Sequence, residues 1–365
     1  MRALAALAIL APVAIYLASE DGKAVTHKPK GPTVPAGGEP PPPGGGGIIV
    51  PEVVPGGIIQ KILATDVQQQ RPRIGKGSVG AATIAKREAI MLQAVADGQA
   101  ELSWGPVNVW GAGYEGIVDV MTNALSFEGV RINATQVTQQ KIADLLGACL
   151  LTPKVSDAVY EQAGRRMGIH NTIWYQDNSM PDADRMVEYN AIIEKWAKQA
   201  VIVPGGGDVL DSVGKDWVLC RALWDQSEIH PMPGMPGGSP NNLDHHLAAN
   251  YGWQGVKEDP GMEHTVAKPW QMQPPSYLVQ GRPLGVSGHY TGSTAHDVGH
   301  TDYSQTCRLM RGEMRIRKAN SDEPWQTVSV ASVITSGDLW PLLSWEGPLP
   351  AARHPRVAPL ATAVV

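Results

Sequence analysis

The sequence predicts an α+β fold: one mixed domain, with helices in its N-terminal half and strands and loops in its C-terminal half. It sits behind an apolar N-terminal helix and a Pro/Gly linker. Three observations predict this. Apolar residues recur at helical spacing in several segments between 83 and 196. Short apolar runs bounded by glycine fall among those helices and dominate the chain beyond residue 200. The two kinds of element do not alternate regularly, which argues against a doubly wound α/β sheet. Of 365 residues, 43% are hydrophobic, enough for a real core. The divisions follow: 1–20 a signal or membrane anchor, 21–57 a linker, 58–346 a single domain, and 347–365 a flexible tail.

Taken in order, residues 3–18 read ALAALAILAPVAIYLA, preceded by Arg2 and followed by Glu20, Asp21 and Lys23. A charged start and an apolar run form the pattern of an export signal. The run falls slightly short of the ~20 residues a transmembrane helix needs. Tyr16 stands where cleavage after Ala18 would want a small residue, so a removed signal and a retained anchor both stay open. Residues 28–57 are too rich in Pro and Gly to offset the entropy of ordering, and read as a tether.

Residues 83–97 read as a helix with Ile84, Met91, Leu92 and Val95 on one face, ended by Asp97-Gly98. Strands follow at 106–110, 116–122 and 129–134. A helix opens near Thr135. Thr152-Pro153 is an N-cap with Pro at the first helical position, and predicts a helix to about Arg166. Ser179-Met180-Pro181 opens another, with Met186, Tyr189, Ile193 and Trp196 on its inner stripe. VIVP (201–204) is a short strand, and the glycines at 205–207 form a turn. WVLCRALW (217–224) is strand or helix. SYLVQ, MRIRKA and QTVSVASVI read as strands, and the chain from Pro348 as an appended end.

Composition narrows the function. The net charge of −5, with no clustered Lys and Arg, argues against nucleic acid as partner. Eleven Trp and nine Tyr against one Phe suit either an exposed binding groove or an ordinary core. Cys149, Cys220 and Cys307 form no CxxC pair. They are either buried apolar residues or, in an exported chain, two of them are bridged.

The densest polar cluster runs from His289 through His296, Asp297, His300, Asp302, Tyr303 and Ser304 to Arg308, with His245 and His246 upstream. Three chemistries fit it. His296, Asp297 and His300, with His245 or His246, would hold a divalent metal. Ser304 would be a nucleophile activated by His300 or His296. Asp302, His300 and Asp216 would perform acid–base work, with Lys215 and Arg221 holding an anion. A fourth reading is structural: polar groups that bond each other and fix turns.

Ordered short motifs narrow the field. GKDWVLCRAL (214–223), NYGW (250–253), QPPS (273–276) and HTDYSQTCRLM (300–310) follow one another. Earlier come KREAIMLQAVADGQ (86–99), QQKIADLLGACLLTPKVSDAVYEQA (139–163) and DRMVEYNAIIEKW (184–196). Together they resemble a family of uncharacterised bacterial and phage proteins. That family's pattern is His-Lys-Lys-Asp, Tyr-Gly-Trp-His, Gln-Pro-Leu and Asp-Tyr-Ser-His-Gly leading to Arg-Leu-Val. The resemblance spans about 85–310 and implies one domain there, but no activity. It singles out Lys215, Asp216, Tyr251, Gly252, Trp253, Gln273, Asp302, Tyr303, Ser304 and Arg308. The chain departs from it at Val213-Gly214, Gln254 and Gln305-Thr306, where the family has histidines.

The expectation is an exported hydrolase acting on a cell-envelope polymer, peptidoglycan foremost, periplasmic, membrane-anchored or extracellular, with a phage lysis enzyme included. Catalysis falls to Asp302, Ser304, His300, Lys215, Asp216 and Arg308, and substrate contact to Tyr251, Trp253, Gln273 and Tyr303. No cofactor is required except a divalent metal in the histidine reading. Residues 3–18 would meet the membrane if retained. The rivals are a non-enzymatic virion component or envelope-binding module, and a metal-dependent enzyme.

Overall fold

The computed structural model describes residues 54–65, 81–166 and 306–359, with shorter pieces between 187 and 297. In order, α1 is Ile58–Ala64, α2 Ala81–Ala96, β1 Trp104–Gly111, β2 Tyr114–Met121, β3 Ser126–Phe127 and β4 Val130–Arg131. Then come α3 Gln136–Leu145, β5 Ala148–Leu150, α4 Pro153–Gln162 and β6 Ala163–Arg166. The short strands are β7 Val201–Ile202, β8 Gly207–Leu210, β9 Asp216–Trp217, β10 Leu247–Ala248, β11 Asn250–Tyr251, β12 Leu278–Val279, β13 Arg282–Pro283 and β14 His296–Asp297. The described chain ends with β15 Leu309–Lys318, β16 Gln326–Ser329 and α5 Val330–Thr335. Helices and antiparallel sheet together make the fold α+β.

The main sheet has the order β1-β2-β15-β16, with β5 also paired to β15, and every pairing is antiparallel. Alternation along β1 buries Val107 and Val109 and turns Pro106, Asn108 and Trp110 to solvent. One face therefore meets the core and the other meets water, as antiparallel sheets allow. The core face joins Val118, Val120, Met314 and Ile316 to Phe127, Ile132, Ile142 and Val155. The pairing of β15 with β2 shifts register between Met310 and Met314.

β1 is an edge strand, and its free backbone is sealed by side chains. Gln162 accepts from Asn108 N at 2.8 Å and donates to Asn108 O at 2.7 Å, standing in for a neighbouring strand. Lys154 Nζ donates to Trp110 O at 2.7 Å and to Pro341 O, and lies 4.2 Å from the centroid of Trp345. Burial pushes its amine down to about 8 despite Asp157 and Glu161 nearby. Each device blocks a second chain from adding to the sheet.

Helix ends follow from identifiable caps. Thr135 and Thr152 accept from Thr138 N and Val155 N, as their positions predict. α1 has no side-chain cap of its own. Glu128, held at φ +52°, supplies one by accepting from Ile58 N and Ile59 N.

Three expectations differ from the structure. The helix from Pro153 stops at Gln162, because Gly164 packs against Gly206 and Gly207 so closely that a Cβ there would meet Gly207 O at 1.8 Å. The backbone must be extended to make that approach, and β6 pairs with β7 and β8. The run QTVSVASVI is a strand only to Ser329. Ser329 then accepts from Ser332 N and caps α5. The stretch from Pro348 to residue 359 is packed: Leu349 and His354 are buried, Arg353 pairs with Asp144 at 2.9 Å, and His354 N donates to Gln140.

In the segment expected to be a helix after Pro181, Val187, Asn190, Ala191 and Glu194 are helical, and the first three are buried. Met186, Tyr189, Ile193 and Trp196, the expected inner stripe, lie outside the described residues, as do 1–53 with the apolar run and most of the linker. Among the described residues no helix is long and apolar enough to cross a membrane.

Candidate functional site

The site is built from the N-terminus of α3 outward. Ala134 O accepts from Trp217 Nε1 at 2.7 Å, and Gln136 Nε2 donates to Val218 O at 2.8 Å. These bonds hold β9 against the start of α3. Leu219 N donates to Leu151 O at 2.7 Å, which fixes the chain just after β9. The run entering β15 is fixed at the same place. Asn133 bridges Thr306, Leu125 N donates to Cys307 O, and Cys307 N donates to Ile132 O.

Two segments ninety residues apart in sequence thereby bring Asp216 and Arg308 together. Both are buried, at 4% and 1% exposure. Ser156 Oγ, from the first turns of α4, donates to Asp216 Oδ2 at 2.8 Å. Burial raises the Asp216 carboxyl above its ordinary value, and the Arg308 guanidinium and the Ser156 hydroxyl oppose that rise. Its other oxygen, Oδ1, has no hydrogen-bond donor among the described residues. A carboxyl so placed holds a proton more readily than an exposed one. β11 pairs with β9 so that Tyr251 lies opposite Asp216. The GKDW, NYGW and HTDYSQTCRLM motifs therefore meet through Asp216, Tyr251 and Arg308.

The histidine segments are also drawn together. β10 pairs with β14, with Ala248 opposite His296 and Leu247 opposite Asp297. β10 directly follows Asp244-His245-His246 and is one residue from β11. The stretch Leu247–Tyr251 thus touches the His296–Asp297 strand at one end and the Asp216 strand at the other. Tyr251, His296 and Asp297 are placed here as strand residues by register alone. Lys215, Trp253, Gln273, His300, Asp302, Tyr303 and Ser304 lie outside the described residues, as do His245, His246 and His289. Among the described residues no three His, Cys, Asp or Glu side chains gather to hold a metal.

Sequence reasoning missed Ser156. It is a hydroxyl in an amphipathic helix, and nothing local marks it out; only the fold shows its partner. Trp217, one of eleven Trp, is fully buried and serves the core.

Cys149, Cys220 and Cys307 are buried, and none of them is in a disulfide. Burial raises Cys149 to about 11, with Asp144 adding to the effect. Burial raises Cys307 strongly, helped by the negative charge of Asp216. The thiolate is the reactive form. Ellman's reagent at pH 8 is therefore expected to leave the folded chain unmodified and to label all three thiols once it is unfolded in urea. Fewer than three labelled without reductant would mean that a pair had been oxidised.

Compared with protein-family models, with curated proteins and with solved structures, the chain finds no match in any of the three.

Proposed function

We propose that this chain is an exported hydrolase acting on a cell-envelope polymer, with peptidoglycan as its substrate class. One observation carries the reading most: segments far apart in sequence, each bearing candidate chemistry, are tied together at Asp216, Tyr251 and Arg308. In this reading the buried Asp216–Arg308 pair is the framework. The reacting groups are on the segments it anchors. Asp302 or His300 is the general base, Ser304 the nucleophile or a positioning hydroxyl, and Lys215 the stabiliser of developing negative charge. Export and the envelope substrate rest on the apolar N-terminal run, the Pro/Gly linker and the Trp/Tyr supply.

Two rivals each have an observation in their favour. The β10–β14 pairing favours a metal-dependent enzyme, because it sets His296–Asp297 beside the strand that follows His245–His246. The burial of Asp216 and Arg308 favours a non-enzymatic envelope-binding or virion protein, in which the matching residues serve the fold.

Zymography of the full-length chain on purified peptidoglycan separates the three. The hydrolase reading expects clearing that Asp302→Asn and Ser304→Ala both abolish. Clearing lost to a chelator and restored by a divalent ion would move the chemistry to the histidines. A folded sample that clears nothing would sink both enzyme readings.

A further inference from the structure

We propose that Arg87 of α2 is the receptor for a small oxyanion, a ligand site that the hydrolase reading does not use.

α2 turns Ile84, Arg87, Glu88, Met91, Ala94 and Val95 inward. Arg87 is 1% exposed, on a face otherwise lined by apolar side chains and Glu88. Its Nε and Nη1 are buried and meet no hydrogen-bond acceptor among the described residues. A carboxyl or an amine in such a place can shed its charge by exchanging a proton. Guanidinium groups keep theirs in proteins, so burial must be answered by an anion.

The described carboxylates nearest in the packing are committed elsewhere. Consecutive side chains on a helix point about 100° apart, so Glu88 does not face Arg87. Its carboxylate accepts instead from Thr135 N, Thr135 Oγ1 and Thr138 Oγ1. α2 packs against α1 and α3. α1 has no acidic residue, and Glu128 is bound to its first N–H groups. The acidic residue of α3 is Asp144, which takes Arg353 and Gln140. Asp97, just past α2, accepts from Gln93.

Charge and burial select the ligand. Planar N–H donors pair best with an oxyanion, and the nearly closed surroundings of the guanidinium admit a small one. Phosphate, sulfate and carboxylate share that chemistry. Occupancy also bears on the rest of the chain, because Arg87 and Glu88 are consecutive on one helix. Glu88 caps α3, and the start of α3 holds Trp217 and Val218 through Ala134 and Gln136. An oxyanion at Arg87 therefore steadies the helix that presents Glu88.

The test is thermal unfolding of the full-length chain in Tris chloride, with phosphate, sulfate or acetate added at constant ionic strength, beside Arg87→Met. For the wild type, a saturable rise of about 5 °C is expected at a hundredfold excess over the dissociation constant. Arg87→Met should show no such rise. Without oxyanion it should melt no lower than wild type, because exchanging an uncompensated buried charge for an apolar chain is neutral or stabilising. Calorimetric titration of the wild type reads binding without that variant, and one oxyanion per chain is expected. Arg87→Lys should bind about tenfold more weakly or worse, since an ammonium lacks the planar fork. A response to phosphate and sulfate without acetate identifies a tetrahedral oxyanion, and a response to acetate a carboxylate. No binding of any of the three overturns the proposal. So does an equal rise in wild type and Arg87→Met, the general effect of excluded salts. An Arg87→Met chain that melts well below wild type in chloride overturns it too, because the counter-charge would then belong to the chain itself.

Discussion

Arg308→Met is expected to destabilise the chain by about 2–3 kcal/mol, because it removes a buried guanidinium whose positive charge acts on the buried Asp216 carboxyl. The reason is what stays behind. Asp216 remains buried, its Oδ2 held by Ser156, without the charge of Arg308. Asp216→Asn in the same chain should recover much of the loss, because a neutral amide needs no counter-charge and can still accept from Ser156. Urea unfolding of the wild type, both single variants and the double variant measures this directly. A loss below about 1 kcal/mol for Arg308→Met would mean that the pair behaves as a solvated contact.

The pH dependence has a definite sign. The Asp216 carboxyl is raised in the folded state above its ordinary value of 3.8, so the folded chain holds that proton more tightly than the unfolded one. Its contribution is then fully present below 3.8 and is lost as pH rises through the folded value. Wild-type stability, measured against Asp216→Asn, should therefore fall as pH rises through the acid range. Arg308 opposes the raised value, so Arg308→Met should extend that fall to higher pH. Denaturant titrations at pH 4 and pH 7 read both effects. An unchanged difference between wild type and Asp216→Asn would show that the carboxyl titrates alike in both states.

Local signals in the sequence reached the structure where the chemistry is local. Thr135 and Thr152 mark true helix starts, because a threonine hydroxyl three residues before a backbone N–H is enough to cap. The first two strands of the sheet follow from alternation around Val107, Val109, Val118 and Val120. What failed was governed from a distance. Nothing near Gly164 announces that Gly207 lies against it, so local signals alone carry the helix past Gln162. The apolar run through Val330 carries no warning that Ser329 will cap a helix. Asp216, Tyr251 and Arg308 were legible as residue types in ordered motifs. Their meeting was not, because it depends on Trp217 and Gln136 bonding across the start of α3.

That start of α3 gives the second large expectation. Glu88 of α2 is buried, and its carboxylate accepts from Thr135 N at 2.6 Å, Thr135 Oγ1 at 3.0 Å and Thr138 Oγ1 at 2.7 Å. It stands at the positive end of the α3 dipole, where an anion is favoured. Glu88→Ala removes three accepted bonds and strands a buried N–H, and should lower stability by about 3 kcal/mol. Glu88→Gln keeps the shape and one acceptor oxygen, and should lose about half as much. Equal losses in the two variants would assign the role to packing rather than to the carboxylate.

The consequence reaches further than the cap. Residues 133–136 hold Thr306 through Asn133, Trp217 through Ala134 and Val218 through Gln136. Loosening that turn loosens both segments that meet at Asp216 and Arg308. Distant, independent sites add in their effects on stability, while sites that share structure do not. Glu88→Gln combined with Arg308→Met is therefore expected to fall short of the sum of the single losses, since the first change already relaxes the contact that the second one breaks. Additive losses would show instead that the α3 cap and the Asp216–Arg308 pair stand independently, and that the candidate site is held from the β15 side alone.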